Sequence, residues 1–287
     1  MIDTVCIVGI GLIGGSLAAG LRKREWCQTI IGIDANQDTI EQALQMQIID
    51  KGFTSLEGLT VAPDVVVVAV PVLKVKDIFK QLKPWVSQCR LITDVGSTKQ
   101  SVINDFKQVF ANQELGCFVP GHPIAGRERN GVGAAVDDLF DDRKVILTPL
   151  EETDNESLQV ATQMWQAVGA HVERLNPQEH DTILAATSHL PHALAFSLVH
   201  CLSTQSHTPE IFRYAAGGFA DFSRIASSDP VVWRDICLAN REELLEAIRH
   251  FDSSLQALRT SLDAGDGDAL EQIFIDAKNA RDRFTRQ

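Results

Sequence analysis

Residues 5–14 read Val-Cys-Ile-Val-Gly-Ile-Gly-Leu-Ile-Gly, an apolar run that passes without a polar break into a G-x-G-x-x-G turn. Val5 to Val8 have the β-branched character of a buried strand, and Ser16 to Arg22 continue as a helix with small and apolar residues inward. Gly9, Gly11 and Gly14 hold the fingerprint positions. The first glycine permits a tight turn, the second lets backbone approach a diphosphate, and the third lets helix and strand pack closely. The diphosphate would sit at the helix N-terminus, where unpaired N–H groups and the helix dipole favour an anion. A second apolar run, Thr29 to Ile33, ends in Asp34, twenty residues past Gly14. A turn that only packs would leave this carboxylate unexplained. Asp34 would accept hydrogen bonds from the adenosine ribose hydroxyls and repel a 2′-phosphate. Ala35 and Asn36 follow it and offer no cation, so the expected cofactor is NAD rather than NADP. Leu12 and Ile13 within the turn, and Val70 and Pro71 at the end of the strand predicted over 64–71, complete the expected dinucleotide set.

The 287 residues suffice for two domains of ordinary size. A hydrophobic content of 45% and a charged content of 22% are those of a soluble globular protein. The formal charge of −12, with no basic stripe, speaks against a nucleic-acid partner. The six cysteines are scattered with no C-x-x-C, which fits reduced, packed thiols in a cytoplasmic protein. The N-terminus enters the first strand directly, leaving no room for a signal peptide, and no apolar run approaches the roughly 18 residues of a membrane helix.

Outward from the opening motif, strands are predicted at 4–9, 29–34, 64–71, 90–95, 117–120, 144–148 and 171–175. Helices are predicted at 12–24, 37–46, 74–83, 98–111 and 155–168. This alternation predicts an α/β fold, a doubly wound parallel sheet over residues 1–175. Beyond Asn176-Pro177, a helix N-cap and first turn, only helical periodicity remains, giving an all-helical domain over 176–287. In its last helix Leu270, Ile273, Phe274, Ala277 and Phe284 share a face, with Asp266 or Asp268 as cap. So many apolar positions in about 110 residues suggest that part of this domain packs on a second copy, as a homodimer.

Ligands of a doubly wound sheet bind beyond the carboxyl ends of its strands. There the sequence places Asp94-Val-Gly-Ser97-Thr-Lys99 and Pro120-Gly-His122-Pro-Ile-Ala-Gly126. Ser97 and His122 form a candidate pair for binding and deprotonating a hydroxyl, since an imidazole titrates in the useful range. The alternative is that His122 is a satisfied structural residue of a Gly-Pro loop. Lys99 reads as a solvated or phosphate-proximal helix residue rather than a catalyst. The helical half adds Ser188-His189-Leu-Pro-His192, in a helix interrupted by Pro191, and Asp221-Phe-Ser-Arg224 at the head of an apolar helix. Arg224 could hold a carboxylate in a bidentate fork or pair with Asp221 or Asp229. His189 and His192 have no third ligand within a metal-binding spacing, so no metal site is assigned.

The motifs GIGLIGGSL (9–17), DVGSTK (94–99), GHPIAGRE (121–128), TSHLPH (187–192), DFSRIA (221–226) and WRDI (233–236) together resemble the prephenate/arogenate dehydrogenases of tyrosine biosynthesis. The resemblance spans nearly the whole chain. It implies a Rossmann domain joined to a helical dimerisation domain, and oxidative decarboxylation of a 4-hydroxycyclohexadienyl acid. By resemblance His122 accepts or polarises the C4 hydroxyl proton and Ser97 shares that hydrogen bond. Arg224 holds a substrate carboxylate and His192 contacts the substrate from the helical side. Ser188, His189 and Trp233 line or order the pocket, and Glu128 sits where the family's loop carries an acidic gate residue. The prephenate–arogenate choice stays open, and tyrosine is a plausible product-like inhibitor. Two other functions compete. A β-hydroxyacid dehydrogenase would need a catalytic lysine in the interdomain helix, which carries none near Ser188. A non-enzymatic NAD-sensing module would need neither the His122/Ser97 pair nor Arg224.

Overall fold

The computed structural model describes residues 2–111, 116–127, 129–205 and 208–284. It divides into two compact units, Met1–Asn240 and Arg241–Gln287.

The first unit opens with β1 (Ile2–Val8), α1 (Leu12–Lys23), β2 (Cys27–Ile33), α2 (Gln37–Gln45) and β3 (Lys51–Phe53). It continues with β4 (Val65–Val68), α3 (Val75–Leu82), β5 (Leu91–Asp94), α4 (Gln100–Val109) and β6 (Phe118–Val119). These strands form one parallel sheet in the order β3-β2-β1-β4-β5-β6. The sequence direction reverses between β1 and β4, which is where such sheets open a ligand crevice. Both faces of the sheet are covered, so the strands are apolar on both sides rather than alternating with polar residues. Val5, Ile7, Val65 and Val67 face α1 and a later helix, α5 (Asn155–Ala167), where Leu17, Leu21, Met164 and Trp165 are buried. Cys6, Val8, Val66 and Val68 face α3 and α4, around Phe79 and Phe106. Phe106 stacks on Phe118 at 3.9 Å between centroids, and Phe79 meets Phe106 edge-on at 5.2 Å.

The predicted single sheet is corrected at Pro120. This residue has no N–H to donate, and the chain leaves the main sheet there. It restarts as β7 (Gly121–Pro123), which pairs antiparallel with β8 (Lys144–Leu147). After α5 (Asn155–Ala167), β9 (His171–Arg174) joins β8 in parallel. The strands expected at 144–148 and 171–175 therefore belong to a separate three-stranded sheet, and His122 lies on a strand rather than in a loop.

No strand follows Arg174 among the described residues. Asn176 caps α6 (Pro177–Leu184) by accepting from the Gln178 N–H at 2.9 Å. A π-helical segment, Ala185–His189, joins α6 to α7 (Leu190–Ser203), so Pro191 lies in the first turn of α7 and does not interrupt the rod. The 27-residue rod Pro177–Ser203 contains an 18-residue window with a mean hydropathy of 1.3, so by length and composition alone it is long and apolar enough to cross a bilayer. Unbroken apolar runs missed it because His180, Asp181, His189 and His192 interrupt them. The unit closes with α8 (Thr208–Arg213), α9 (Gly217–Ser223) and α10 (Pro230–Ala239). Arg224 caps the C-terminal end of α9 and opens a short 3₁₀ turn, Arg224–Ser227, rather than a long apolar helix.

The second unit is a hairpin of α11 (Arg241–Ala264) and α12 (Gly267–Phe284). Gly265 takes the left-handed φ of +65° that ends α11, and Asp266 caps α12 by accepting from the Ala269 N–H at 3.0 Å. Along the hairpin Leu255, Leu262 and Phe274 remain more than half exposed.

Candidate active site

The glycine turn is built as its sequence implies. Gly9 has φ +98°, and a Cβ there would lie 2.4 Å from the Ala69 carbonyl oxygen at the end of β4. A Cβ at Gly14 would lie 2.0 Å from the Gly9 carbonyl oxygen and 3.1 Å from Ile7 Cγ2. Both glycines are thus fixed by packing. Gly11 differs: a Cβ there meets nothing within 4 Å. It is the N-cap of α1, and its open side is where an anion can approach the helix N-terminus. Asp34 follows β2 and turns toward this loop, accepting from the Ile10 N–H and the Asn36 N–H, both at 3.0 Å. Val70 and Pro71 follow the end of β4 on the other side of the switch point. These residues fit a dinucleotide.

Beyond β5 lies a buried polar cluster. Lys99 is fully buried, its Nζ donating to Asp94 Oδ2 at 2.5 Å and to the Gly121 carbonyl at 2.6 Å. Asp94 also accepts from the Gly96 and Gly121 N–H groups at 2.8 and 3.2 Å. The expectation of a solvated Lys99 is overturned. Its ammonium ties the end of β5 to the start of β7, and burial pulls its pKa below the usual lysine range against the opposing pull of Asp94.

His122 follows Gly121 and is buried. Its Nδ1 is 2.9 Å from His180 Nε2, and His180 Nδ1 is 2.8 Å from Asp181 Oδ1. Asp181 accepts from the Lys99 and Gln100 N–H groups at 2.7 and 2.8 Å, at the start of α4. Burial comes first, and the neighbouring Lys99, His180 and His189 side chains further oppose a positive charge here, so the His122 pKa lies well below 6.5. The ring is therefore neutral at pH 7.

The helical residues form the other wall. Asn240 Nδ2 donates to the Asp181 carbonyl at 2.9 Å and lies 3.1 Å from His189 Nδ1. His189 is buried near the Ser97 backbone, and burial pushes its pKa down to about 4. His192 Nδ1 donates to the Ser188 carbonyl at 2.9 Å, and its ring stacks on Trp233 with centroids 3.6 Å apart. Trp233 also meets His189 edge-on at 6.3 Å. His192 is held below its ordinary pKa, chiefly by burial and further by the nearby Arg224 guanidinium. The predicted residues Ser97, His122, Ser188, His189, His192, Arg224 and Trp233 thus form one connected neighbourhood. Glu128 lies outside the described residues. Sequence reasoning passed over His180, Asp181 and Asn240. Asp181 follows the Asn-Pro helix start so closely that it and His180 look like a solvated first turn, and their partners are 58 and 82 residues away.

A family model described as the nucleotide-binding domain of prephenate dehydrogenase matches residues 17–174, and one described as its dimerization domain matches 176–276. The chain belongs to the prephenate dehydrogenase family. The prephenate dehydrogenase of Bacillus subtilis is 37% identical over 98% of this chain and 76% of its own length. The cyclohexadienyl dehydrogenase of Zymomonas mobilis is 34% identical over 96% of this chain and 94% of its own. Among solved structures, the prephenate dehydrogenase of A. aeolicus, in complex with hydroxyphenyl propionate and NAD+, superposes with a TM-score of 0.92. It is 39% identical and covers 99% of both chains. Both matched prephenate dehydrogenase domains lie in the Rossmann and helical parts expected from the motifs.

Proposed function

We propose that this protein uses NAD to decarboxylate a 4-hydroxycyclohexadienyl acid oxidatively, prephenate or arogenate, giving 4-hydroxyphenylpyruvate or tyrosine. The observation that carries this reading is a buried, neutral imidazole, His122, placed beyond the carboxyl end of a sheet whose Gly11 leaves the helix N-terminus open. Residues 1–175 hold the dinucleotide, and residues 176–287 bind substrate and dimerise.

When bound, the nicotinamide supplies a hydride acceptor for the hydrogen on C4 of the ring. The chain supplies the rest. Gly9, Gly11, Leu12, Ile13, Gly14 and Asp34 seat the adenosine and diphosphate, with Val70 and Pro71 across the switch point. His122 takes the C4 hydroxyl proton, and Ser97 shares that hydrogen bond. A neutral, weakly basic ring suffices, because loss of hydride makes the hydroxyl strongly acidic. Arg224 holds a substrate carboxylate, and His192 contacts the substrate from the helical side, beside Trp233. Loss of CO₂ needs no further catalyst, since it makes the ring aromatic. The protein contributes orientation and one proton acceptor. The exposed apolar face of the α11–α12 hairpin is read as the contact with a second copy. Such a dimer would work in the cytoplasm.

The test is NADH formation at 340 nm with prephenate and with arogenate at saturating NAD. Turnover of either supports the reading, and their ratio names the substrate. NAD binding without turnover of either would refute it in favour of a sensing module.

A further inference from the structure

The hydrogen bonds around His122 run in one direction. The Asp181 carboxylate can only accept, so the proton of the His180–Asp181 contact sits on His180 Nδ1. In a neutral His180 ring, Nε2 is then an acceptor. The His122–His180 contact must therefore carry its proton on His122 Nδ1. Asp181 cannot turn away, because two backbone N–H groups at the start of α4 hold both of its oxygens. Asn240 pins the same stretch through the Asp181 carbonyl. All these groups are buried, so water does not offer the rings other partners.

We propose that His180 and Asp181 are positioning residues that lock His122 in the Nδ1–H tautomer, leaving Nε2 as the acceptor for the reacting hydroxyl. The inference rests on the dehydrogenase reading above. In the reaction the C4–H bond breaks with its electron pair going to the nicotinamide as hydride. The hydroxyl proton moves to His122 Nε2, and C4–O becomes a carbonyl. The C1–carboxylate bond then breaks, CO₂ leaves, and its electron pair makes the ring a phenolate. The proton on Nε2 returns to that oxygen. During the interval in which His122 is an imidazolium, its Nδ1–H remains bonded to His180, and the Asp181 charge lies one ring further on. Imidazole orientation by a second acceptor of this kind is a general device for setting which nitrogen reacts.

Nitrogen-15 NMR of the histidine rings in the full-length protein with NAD tests this without substrate, with His122 assigned by the signals lost in His122→Asn. The expected wild-type result is an unprotonated Nε2 and a protonated Nδ1 on His122. Two variants extend the test. His180→Leu keeps bulk but removes the acceptor. It should lower kcat about tenfold or more with KM for prephenate changed less than about threefold, and His122 should populate the other tautomer. His180→Gln can still accept from His122 and donate to Asp181, and should recover kcat to within about threefold of wild type. An Nε2–H tautomer in the wild type would overturn the proposal. So would wild-type kcat in His180→Leu, or equal losses in the Leu and Gln variants. If His180→Leu does not fold, the wild-type spectrum decides. Failure of the wild type to turn over prephenate or arogenate would refute the dehydrogenase reading, whereas the tautomer is read from the spectrum alone.

Discussion

Replacing Gly11 by alanine separates cofactor binding from folding in a way the other two fingerprint glycines cannot. The added methyl meets no protein atom within 4 Å, and φ at this position is −84°, so the fold has no reason to change. The stability cost should stay below about 1 kcal/mol, the loss of glycine at an N-cap. The methyl does enter the space through which a diphosphate reaches the α1 N-terminus. Displacing one charged hydrogen bond forfeits about 1.5–3 kcal/mol, or roughly 10- to 150-fold in affinity. Gly14→Ala is the contrast. Its methyl would lie 2.0 Å from the Gly9 carbonyl oxygen and 3.2 Å from Ala69 Cβ, so α1 must move off β1. Overpacking of that kind costs about 1–3 kcal/mol or more. Calorimetric titration with NAD and urea unfolding of each variant read the two effects separately. Gly11→Ala should unfold like wild type and bind NAD at least tenfold more weakly, while Gly14→Ala should lose stability first. Wild-type NAD affinity in Gly11→Ala, or its unfolding at clearly lower urea, would refute the assignment of that open space to the diphosphate.

Three further outcomes are expected. His122→Asn should lower kcat by about two orders of magnitude or more, the usual worth of a positioned proton acceptor, with a smaller effect on KM in the 340 nm assay. Arg224→Ala should raise substrate KM by roughly 10- to 100-fold, as loss of a charged hydrogen bond to a carboxylate, while kcat changes only several-fold. Stability should fall in acid. His189 titrates at 6.5 when unfolded and at about 4 when folded. As pH drops through that window the unfolded chain binds a proton the folded chain refuses, costing up to about 3 kcal/mol by pH 4. His122 acts in the same direction, its folded pKa also lying well below 6.5. Urea midpoints from pH 8 to pH 4 should therefore decline below pH 6.5, and less steeply in His189→Gln. Superimposable wild-type and His189→Gln curves would count against it.

The legible parts of the chain are those whose cause is local. β1, the glycine turn and α1 declare themselves because an apolar run, a positive φ and a close contact each demand particular residues. β3 escaped notice because Lys51-Gly52-Phe53 is three residues long and exists only by pairing with β2. The small sheet was misjudged because β8 looks the same whichever sheet it joins, and the diverting residue, Pro120, lies 24 positions earlier. At the site, His122, His192 and Arg224 stood out by motif. Lys99, His180 and Asp181 did not, because their roles depend on neighbours that only the fold supplies. A buried lysine or aspartate has the same sequence as a solvated one.

The π-helical segment Ala185–His189 carries a consequence for how this site can vary. A π turn holds about one residue more than an α turn, and one residue corresponds to about 100° of rotation around a helix axis. The segment therefore acts as a phase shift within a single rod. Upstream of it, His180 and Asp181 point at β7 and α4, while His189 at its end and His192 beyond it meet Trp233. Removing one residue there would let the rod relax to a regular α-helix and swing one half of the wall out of register with the other. Point substitutions along the rod can retune each end independently, but its length between residues 181 and 189 is not free to change.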